Sequence, residues 1–560
     1  MLLALMIGAV AGVLWFAERS FAHIALALAS LLFGAALLLV VLGDLQRAIL
    51  LSCIVAIAIV AASDVKYRHS GLKLIVTDLP LLLAGTVRFF FVQYPLAVAA
   101  VIGGSVALVL SGLAISRYAA GAQLSMGLRL LLLVAAAAGL AVADRISGGM
   151  TSLQRIAAER RCFLSAFAAS LIDPASWRNV SGLALSDIAT EPLPLLPAVP
   201  GRSAVRPDII IIQHESIFDP RLYGLPVEPV VEEFLTPQRG LSGRLNVDIF
   251  GGGSWQSEFS LLTGLSSASF GSNAYFLFQR GVGRFHNTLP DALSALGYKT
   301  MMASSCRRDF LNYEAFYRSI GISERIFSDD LPAPFDVENF ERTHSDAVFL
   351  EAAVGAHMQR IAEDGAPRFL YMLTNFNHGP HTRRLVAPGQ FESERGFAAA
   401  SLADEQYAEY YARLAQTAAT WHRLKAELTS RFPQRPMLVV HYGDHQPVMT
   451  RRIESGLRLA PDARRQFRTF YAMEFLNVDA AVAGKGADLD IALLGTLALQ
   501  QAGLPLDGVF ATRASLLEQC GDAYFASPSE RKRRFHRTLV EMGLIDLSPP
   551  ASHLKRRHRV

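Results

Sequence analysis

Cysteine is scarce in this chain of 560 residues. The four present, Cys53, Cys162, Cys306 and Cys520, lie far apart, which excludes a zinc-finger spacing and a disulfide framework. Nucleic acid is excluded as a partner on similar grounds, because no basic run is interleaved with aromatics as a stacking platform requires. No basic stretch precedes the first apolar segment and no small-residue cleavage site follows it, so that segment is expected to stay attached. Charge is sparse before Asp144. The chain is 51% apolar with a formal net charge of only +4, and its mean hydropathy of +0.29 is too high for an ordinary soluble enzyme of this size. Basic residues gather late, in Arg531 to Arg534 and Lys555 to Arg557, and are expected to face solvent or lipid headgroups.

The apolar excess falls into segments of membrane-spanning length, given that a helix needs roughly 20 residues to cross the hydrocarbon core. Five spans are predicted: Leu2 to Ala17, Ile24 to Leu42, Ala48 to Ser63, Phe89 to Ser116 and Ala119 to Ala143, the last containing Arg129. Leu74 to Val87, broken by Asp78 and Pro80, reads as an interfacial or re-entrant segment. Lys66, Arg68 and Lys73 fall in a loop that an N-inside model places outside, so charge counting does not decide the orientation. A helix over Ser152 to Leu171 and the proline-rich stretch Glu191 to Pro200 come next, the latter expected to be a semi-rigid spacer.

Beyond the spacer, short apolar runs alternate with amphipathic ones. Ile209 to Ile212, Thr300 to Ala303, Phe369 to Leu373 and Leu438 to His441 are expected strands. Leu289 to Leu296, Ser345 to Ala362 and Ala403 to Ser430 are expected helices. The alternation predicts an α/β domain with a mostly parallel central sheet, in which ligands gather at the carboxyl ends of the strands. Gln213, His214, Glu215 and Ser216 stand just past the first of those strands, and His441 to His445 end the last. A carboxylate at one strand end and an Asp-His pair at another can converge on a cation, and mixed oxygen and nitrogen ligands suit manganese, zinc or magnesium. Each segment alone is also compatible with an ordinary cap or turn. A third segment, Phe250 to Gly264, carries three glycines and then Ser254 at the start of a helix, where free N–H groups favour an anion.

Taken together these segments resemble the lipoteichoic acid synthase and phosphoglycerol transferase branch of the sulfatase-like alkaline phosphatase superfamily, over most of Pro207 to Cys520. The resemblance rests on Glu215-Ser216, Gly253-Ser254 with Ser257-Glu258-Phe259, Gly297 to Thr300, Asn377-His378-Gly379-Pro380, Tyr442 to His445, and the closing stretch from Asp490 to Pro505. It implies one divalent metal ion held by Glu215, Ser254, Asp444 and His445, with Ser254 as the catalytic nucleophile and His378 on the substrate phosphate. The family's headgroup-handling Phe-Trp-Asn-Arg appears here as Phe310-Leu311-Asn312-Tyr313, which leaves Arg307 and Arg308 as candidates for the missing cation and His381 as a further substrate contact. The family nucleophile is commonly Thr, for which Ser offers the same oxygen. The C/S-x-P-x-R sequence of formylglycine sulfatases is absent, so aryl-sulfate hydrolysis is not expected.

The expected organisation is a transmembrane region over 1–145, a juxtamembrane helix and linker over 146–205, a sulfatase-like catalytic domain over 206–525 and a basic tail over 526–560. The expected activity is transfer of a phosphoglycerol or similar headgroup from a membrane phospholipid donor to a glycan or lipid acceptor, through a phospho-Ser254 intermediate. The resemblance places the work at the outer side of the cytoplasmic (inner) membrane. A phosphodiesterase or sulfatase-type hydrolase shares every motif, and a non-catalytic membrane scaffold is the remaining alternative.

Overall fold

The computed structural model describes residues 2–18, 20–70, 73–76, 123–147, 162–173, 183–202, 206–308, 310–331, 346–460, 462–478 and 484–548, with isolated positions between 99 and 114. They form two compact units, Met1–Ala184 and Leu185–Val560.

The first unit is helical: α1 (Leu2–Ala17), α2 (Phe21–Leu42), α3 (Leu45–Ser70), α4 (Met126–Ile146) and α5 (Phe163–Ile172). Among the described residues three stretches, Phe21–Leu42, Leu45–Tyr67 and Met126–Ile146, are long and apolar enough to cross a membrane. Helix α1 covers the first predicted span, but its 16 residues rise only about 24 Å against a hydrocarbon core of roughly 30 Å. The predicted span Phe89 to Ser116 and the interfacial Leu74 to Val87 lie mostly outside the described residues. Arg129, the charge inside the last predicted span, belongs to the first turn of α4. Its guanidinium bonds the carbonyls of Leu124 at 2.7 Å and Val40 at 3.4 Å, so its donors are satisfied at the helix end. The helix expected from Ser152 is seen as the ten-residue α5, with 152–161 outside the described residues, and Phe163 to Ser170 are buried within the unit. Buried Glu18 caps it, accepting from the N–H groups of Leu164 and Ser165 and from Ser165 Oγ, which meets orphan donors at a helix N-terminus with a carboxylate.

The principal elements of the second unit are β1 (Asp208–His214), α6 (Pro229–Leu235), β2 (Gly240–Asn246), α7 (Trp255–Thr263), α8 (Leu289–Ala295), β3 (Lys299–Ser304), α9 (Tyr313–Ser319), β4 (Glu324–Ile326), α10 (Asp346–Asp364), β5 (Arg368–Leu373), α11 (Glu392–Ser401), α12 (Glu405–Arg431), β6 (Met437–Gly443), α13 (Thr450–Leu457), β7 (Arg468–Leu476), β8 (Gly484–Lys485), β9 (Leu489–Asp490), α14 (Ile491–Gln501), α15 (Gly508–Cys520) and α16 (Glu530–Glu541). The sheet runs β4-β3-β5-β1-β6-β7-β2-β8, with β9 also on β2. The four expected strands are its contiguous parallel block, β3-β5-β1-β6. Their continuous apolar runs are explained by burial on both faces. Beyond β6 the sheet turns antiparallel through β7 and β2. The core beneath joins Ile210 and Ile212 to Tyr410, Leu414 and Trp421 of α12, so the expected helix over Ala403 to Ser430 is what covers that face.

Two expectations change here. The proline-rich segment does not stand free as a spacer but lies bonded along the closing helices. Leu193 N–H reaches Thr538 Oγ1 at 2.8 Å, Leu196 N–H reaches Thr512 Oγ1 at 3.0 Å, and Val199 N–H reaches the carbonyl of Leu506 at 2.8 Å; Arg202 N–H reaches that of Gly503 at 2.9 Å. These donors recur every third residue, the period of a polyproline II helix, so one edge of the strap faces the domain throughout. The compact units accordingly divide between Ala184 and Leu185, not near residue 205. Nor is the basic run at Arg531 uniformly exposed. Lys532 is fully buried, its ammonium bonding the carbonyls of Tyr524, Phe525 and Ser527 and pairing with Asp187. Residues 549–560 lie outside the described ones.

Candidate active site

Because β1 and β6 are adjacent, parallel and in register from Asp208 opposite Met437 to His214 opposite Gly443, the residues after them emerge side by side. Gly443 is required there: a Cβ would stand 1.8 Å from the carbonyl oxygen of Ile217, where the chain leaving β1 crosses over. Ser216 makes that crossing in the left-handed region, φ 55°, uncommon for a residue with a side chain. The turn is held by Asp444 Oδ1, which accepts from the N–H groups of Ser216 and His445, both at 2.7 Å. Ser216 Oγ in turn donates to Glu215 Oε1 at 2.7 Å.

Glu215, Asp444 and His445 thereby form a buried group whose candidate ligand atoms all lie within 4.8 Å of one another. Ser254 closes the group. Its Oγ donates to Glu215 Oε2 at 2.8 Å and lies 3.4 Å from His445 Nε2. The turn before it, Gly251 to Gly253, has φ of 76°, 145° and 93°, a path that side chains would resist. The carbonyl of Gln446 ties the parts together by accepting both Gly251 N–H at 2.9 Å and His445 Nδ1 at 3.0 Å. A carbonyl only accepts, so Nδ1 carries a proton and Nε2 is directed at the carboxylates. Other hydroxyls on this helix are engaged elsewhere: Ser257 Oγ with the carbonyl of Asp444, Ser260 Oγ with Asp248 and the carbonyl of Gln256, and Thr263 Oγ1 with the carbonyl of Phe259.

The electrostatics are those of a site short of positive charge. Burial, and then the charge of Glu215, push the Asp444 carboxyl up to about 7. Burial alone would raise Glu215 too, but His445 outweighs it and holds that carboxyl well below its usual range. For His445 burial favours the neutral ring, yet Asp444 and Glu215 overcome it and raise the imidazole to about 9. Asp444 Oδ2 is buried without a hydrogen-bond partner. Two carboxylates, an imidazole nitrogen and a hydroxyl, with an orphaned buried oxygen among them, fit a divalent cation that would replace the proton on Nε2.

The other expected residues divide. His378, half-buried on the loop after β5, lies within the field of Glu215, with its Nδ1 donating to the carbonyl of Gly379 at 2.6 Å. His381 is buried at 4% exposure; its Nε2 bonds the carbonyl of Asn377 at 2.9 Å and its ring packs edge-on against Tyr410. That packing is a core histidine's, and the charge of Glu215 acts on this ring as well. Arg308 is engaged at the protein surface with Asp330 and Glu314 and stacks 5.0 Å over Phe327, which leaves it serving the loop around β4. Arg307 is half-buried beside it. Residues that the sequence did not single out are Asp248, which collects hydroxyls from Ser260, Ser266 and Ser267 below α7, and Arg413, which bonds the loop carrying His378. Their only sequence signal is a charge in an otherwise small-residue or amphipathic stretch.

Residues 207–469 match the model of the Sulfatase family. An uncharacterized protein of Haemophilus influenzae is 25% identical over 322 residues, covering 55% of this chain; the chain spans 56%, a little over half, of that relative. Among solved structures, the lipoteichoic acid synthase LtaP of Listeria monocytogenes is 16% identical, with 55% of this chain and 76% of that one covered and a TM-score of 0.42. For the Streptococcus pyogenes phosphoglycerol transferase GacH, in complex with sn-glycerol-1-phosphate, the values are 17%, 68%, 92% and 0.44. For the C-terminal periplasmic domain of EptC from Escherichia coli they are 15%, 56%, 88% and 0.37. What these comparisons establish for this chain is a match to the Sulfatase family model over residues 207–469, a little under half of its length.

Proposed function

We propose that this protein is a membrane-anchored, metal-dependent transferase that moves a phosphoglycerol or similar phospho-headgroup from a phospholipid to a glycan or lipid of the cell envelope. Its catalytic unit works on the extracytoplasmic side of the cytoplasmic membrane. The observation that carries the reading is one serine hydroxyl, at the end of a glycine turn, shared between a carboxylate and an imidazole of a three-member ligand group. Glu215, Ser254, Asp444 and His445 would hold the ion, which when bound polarises the phosphoryl oxygen and lowers the pKa of the serine hydroxyl.

Ser254 Oγ gives its proton toward Glu215 Oε2, 2.8 Å away, as it forms the new O–P bond. The P–O bond to the lipid alcohol breaks in line, and its electron pair leaves with that oxygen, which takes up a proton at the mouth of the site. His378 offers a hydrogen bond to the phosphoryl oxygens, and the α7 dipole points its positive, N-terminal end toward them. A hydroxyl of the acceptor then attacks phospho-Ser254 and loses its proton, and Ser254 Oγ recovers its own as its bond to phosphorus breaks. Ser254→Ala should abolish turnover while the fold survives. With headgroup-labelled phospholipid and no acceptor, mass spectrometry of the wild type should find the added mass of the labelled phospho-headgroup on the peptide containing Gly253-Ser254. An active Ser254→Ala enzyme, or an adduct on Ser257, would refute the assignment. Label released to solution even when glycan is present would make the protein a hydrolase.

A further inference from the structure

The loop from Asn375 to Val386 leaves the carboxyl end of β5 and carries His378 to the site. It has no regular secondary structure to hold it, so its backbone groups must find partners elsewhere. They find them on two buried charges of α12. Arg413 is fully buried, and its Nη1 donates to the carbonyls of His378 at 3.0 Å and Phe376 at 3.3 Å, while Nη2 donates to that of Arg383 at 2.7 Å. Its Nε donates to Glu409 Oε1 at 2.8 Å, one helical turn back. The same Glu409 oxygen accepts Leu385 N–H at 2.8 Å and Val386 N–H at 3.4 Å. On the other flank Asp346 Oδ1 accepts the N–H groups of Asn375 and Phe376.

From this geometry we infer that Arg413 is the positioning residue that sets the path of the backbone on either side of His378, with Glu409 as its fixed counter-charge. Three carbonyls that would otherwise repel one another converge on a single planar guanidinium, and only a fork of that shape reaches all three while keeping a donor for Glu409. An ammonium can neutralise Glu409 but is a single point on a flexible stem. Arg413→Lys is therefore the informative change: it keeps the buried charge balance and removes the fork. The consequence for turnover rests on the role of His378 proposed above; the positioning itself does not.

The test uses the full chain in detergent, loaded with Mn²⁺. Carbethoxylation of His378, followed on its peptide by mass spectrometry, should change severalfold in rate in Arg413→Lys. Inorganic phosphate should bind about tenfold more weakly, a loss of 1.4 kcal/mol, while Mn²⁺ affinity stays as in the wild type. Turnover should fall to the level of His378→Ala, and the two changes combined should cost no more than either alone. Should Arg413→Lys fold poorly, Arg413→Gln removes the fork while Glu409 keeps its ion pair with Arg395 at 2.7 Å, so no unpaired carboxylate is left buried; the same change in His378 reactivity is expected. Unaltered His378 reactivity and phosphate affinity in these variants would overturn the inference. If His378 reactivity shifts but His378→Ala still turns over normally, Arg413 positions the loop and the proposed role of His378 falls instead.

Discussion

Replacing Asp444 with Asn separates what holds the turn from what would hold an ion. Asp444 is fully buried, Oδ1 accepts two N–H groups at 2.7 Å, and Oδ2 has no hydrogen-bond partner and faces His445 Nε2 at 3.7 Å. Asparagine retains an Oδ1 acceptor of the same shape, so the bonds to Ser216 and His445 persist and lose only their charge-assisted part, about 1 kcal/mol. Removing a carboxylate crowded by Glu215 acts in the opposite sense, so the ion-free stability should change little. The ion, in contrast, loses an anionic ligand. Even outer-shell losses weaken metal sites by about 10–100-fold, so the Kd should rise by at least about 100-fold. With Mn²⁺ at about 1,000 times the wild-type Kd, binding would stabilise the wild type by about 4.1 kcal/mol and the variant by about 1.4. For a unit of roughly 370 residues these correspond to thermal shifts of about 5 °C and under 2 °C. The assay is thermal unfolding of chelator-stripped protein titrated with Mn²⁺, read by intrinsic fluorescence. An equal shift in wild type and Asp444→Asn would refute the placement of this carboxylate in a metal site.

Three further outcomes are expected. Because Asp444 and Glu215 raise His445 from 6.5 to about 9 against the effect of burial, its contribution to ion-free stability is complete below pH 6.5 and is lost as pH rises through 9; the melting temperature of the stripped protein should fall across that window, while Mn²⁺ affinity rises over the same range as the competing proton leaves, and a pH-independent affinity would contradict this. Lys532→Ala leaves three carbonyls and Asp187 without their buried cation, so the loss should reach about 3 kcal/mol in urea unfolding, whereas Arg533→Ala, exposed on the same helix, should be near neutral. A cysteine at Ser203 should react with an impermeant thiol reagent in intact cells or spheroplasts; labelling only after lysis would put the catalytic unit in the cytoplasm and remove the proposed acceptor.

The parallel block of the sheet and the ligand group are legible in the sequence because each rests on a local pattern. Continuous apolar runs mark the strands, and in a parallel sheet the residue after such a run is at the ligand edge whatever its neighbours. Strand β2, Gly240 to Asn246, is hidden because two glycines and alternating exposure give it no such run. Arg413 is hidden for a different reason: its partners are backbone carbonyls, which leave no trace in side-chain identity, and an arginine in a long amphipathic helix reads as surface. Lys532 is masked within a run of four basic residues, since a helix turns every position by about 100° and one member of such a run can face inward. His381 is legible only as a neighbour of His378 in sequence; that its ring packs edge-on against Tyr410 depends on the path of the loop.

The proline-rich strap also constrains the order in which the second unit can be completed. Leu193 and Thr538 are 345 positions apart, and at a synthesis rate of about 5–20 residues per second the strap waits on the order of 17 seconds or longer for its docking helix to be made. Closing a loop of that length adds about 5 kcal/mol of chain entropy by the logarithmic rule, so this pairing is expected late in folding, after the sheet has brought the two ends near. Pro192, Pro194, Pro197 and Pro200 meet that delay in a specific way. A segment without their N–H groups cannot be taken into a helix or the middle of a sheet in the interval, and its extended form needs no internal bonds to persist. The strap is then the closing step of assembly, and a chain cut short before Glu530 would leave it with Leu193 unpaired and the unit open at that edge.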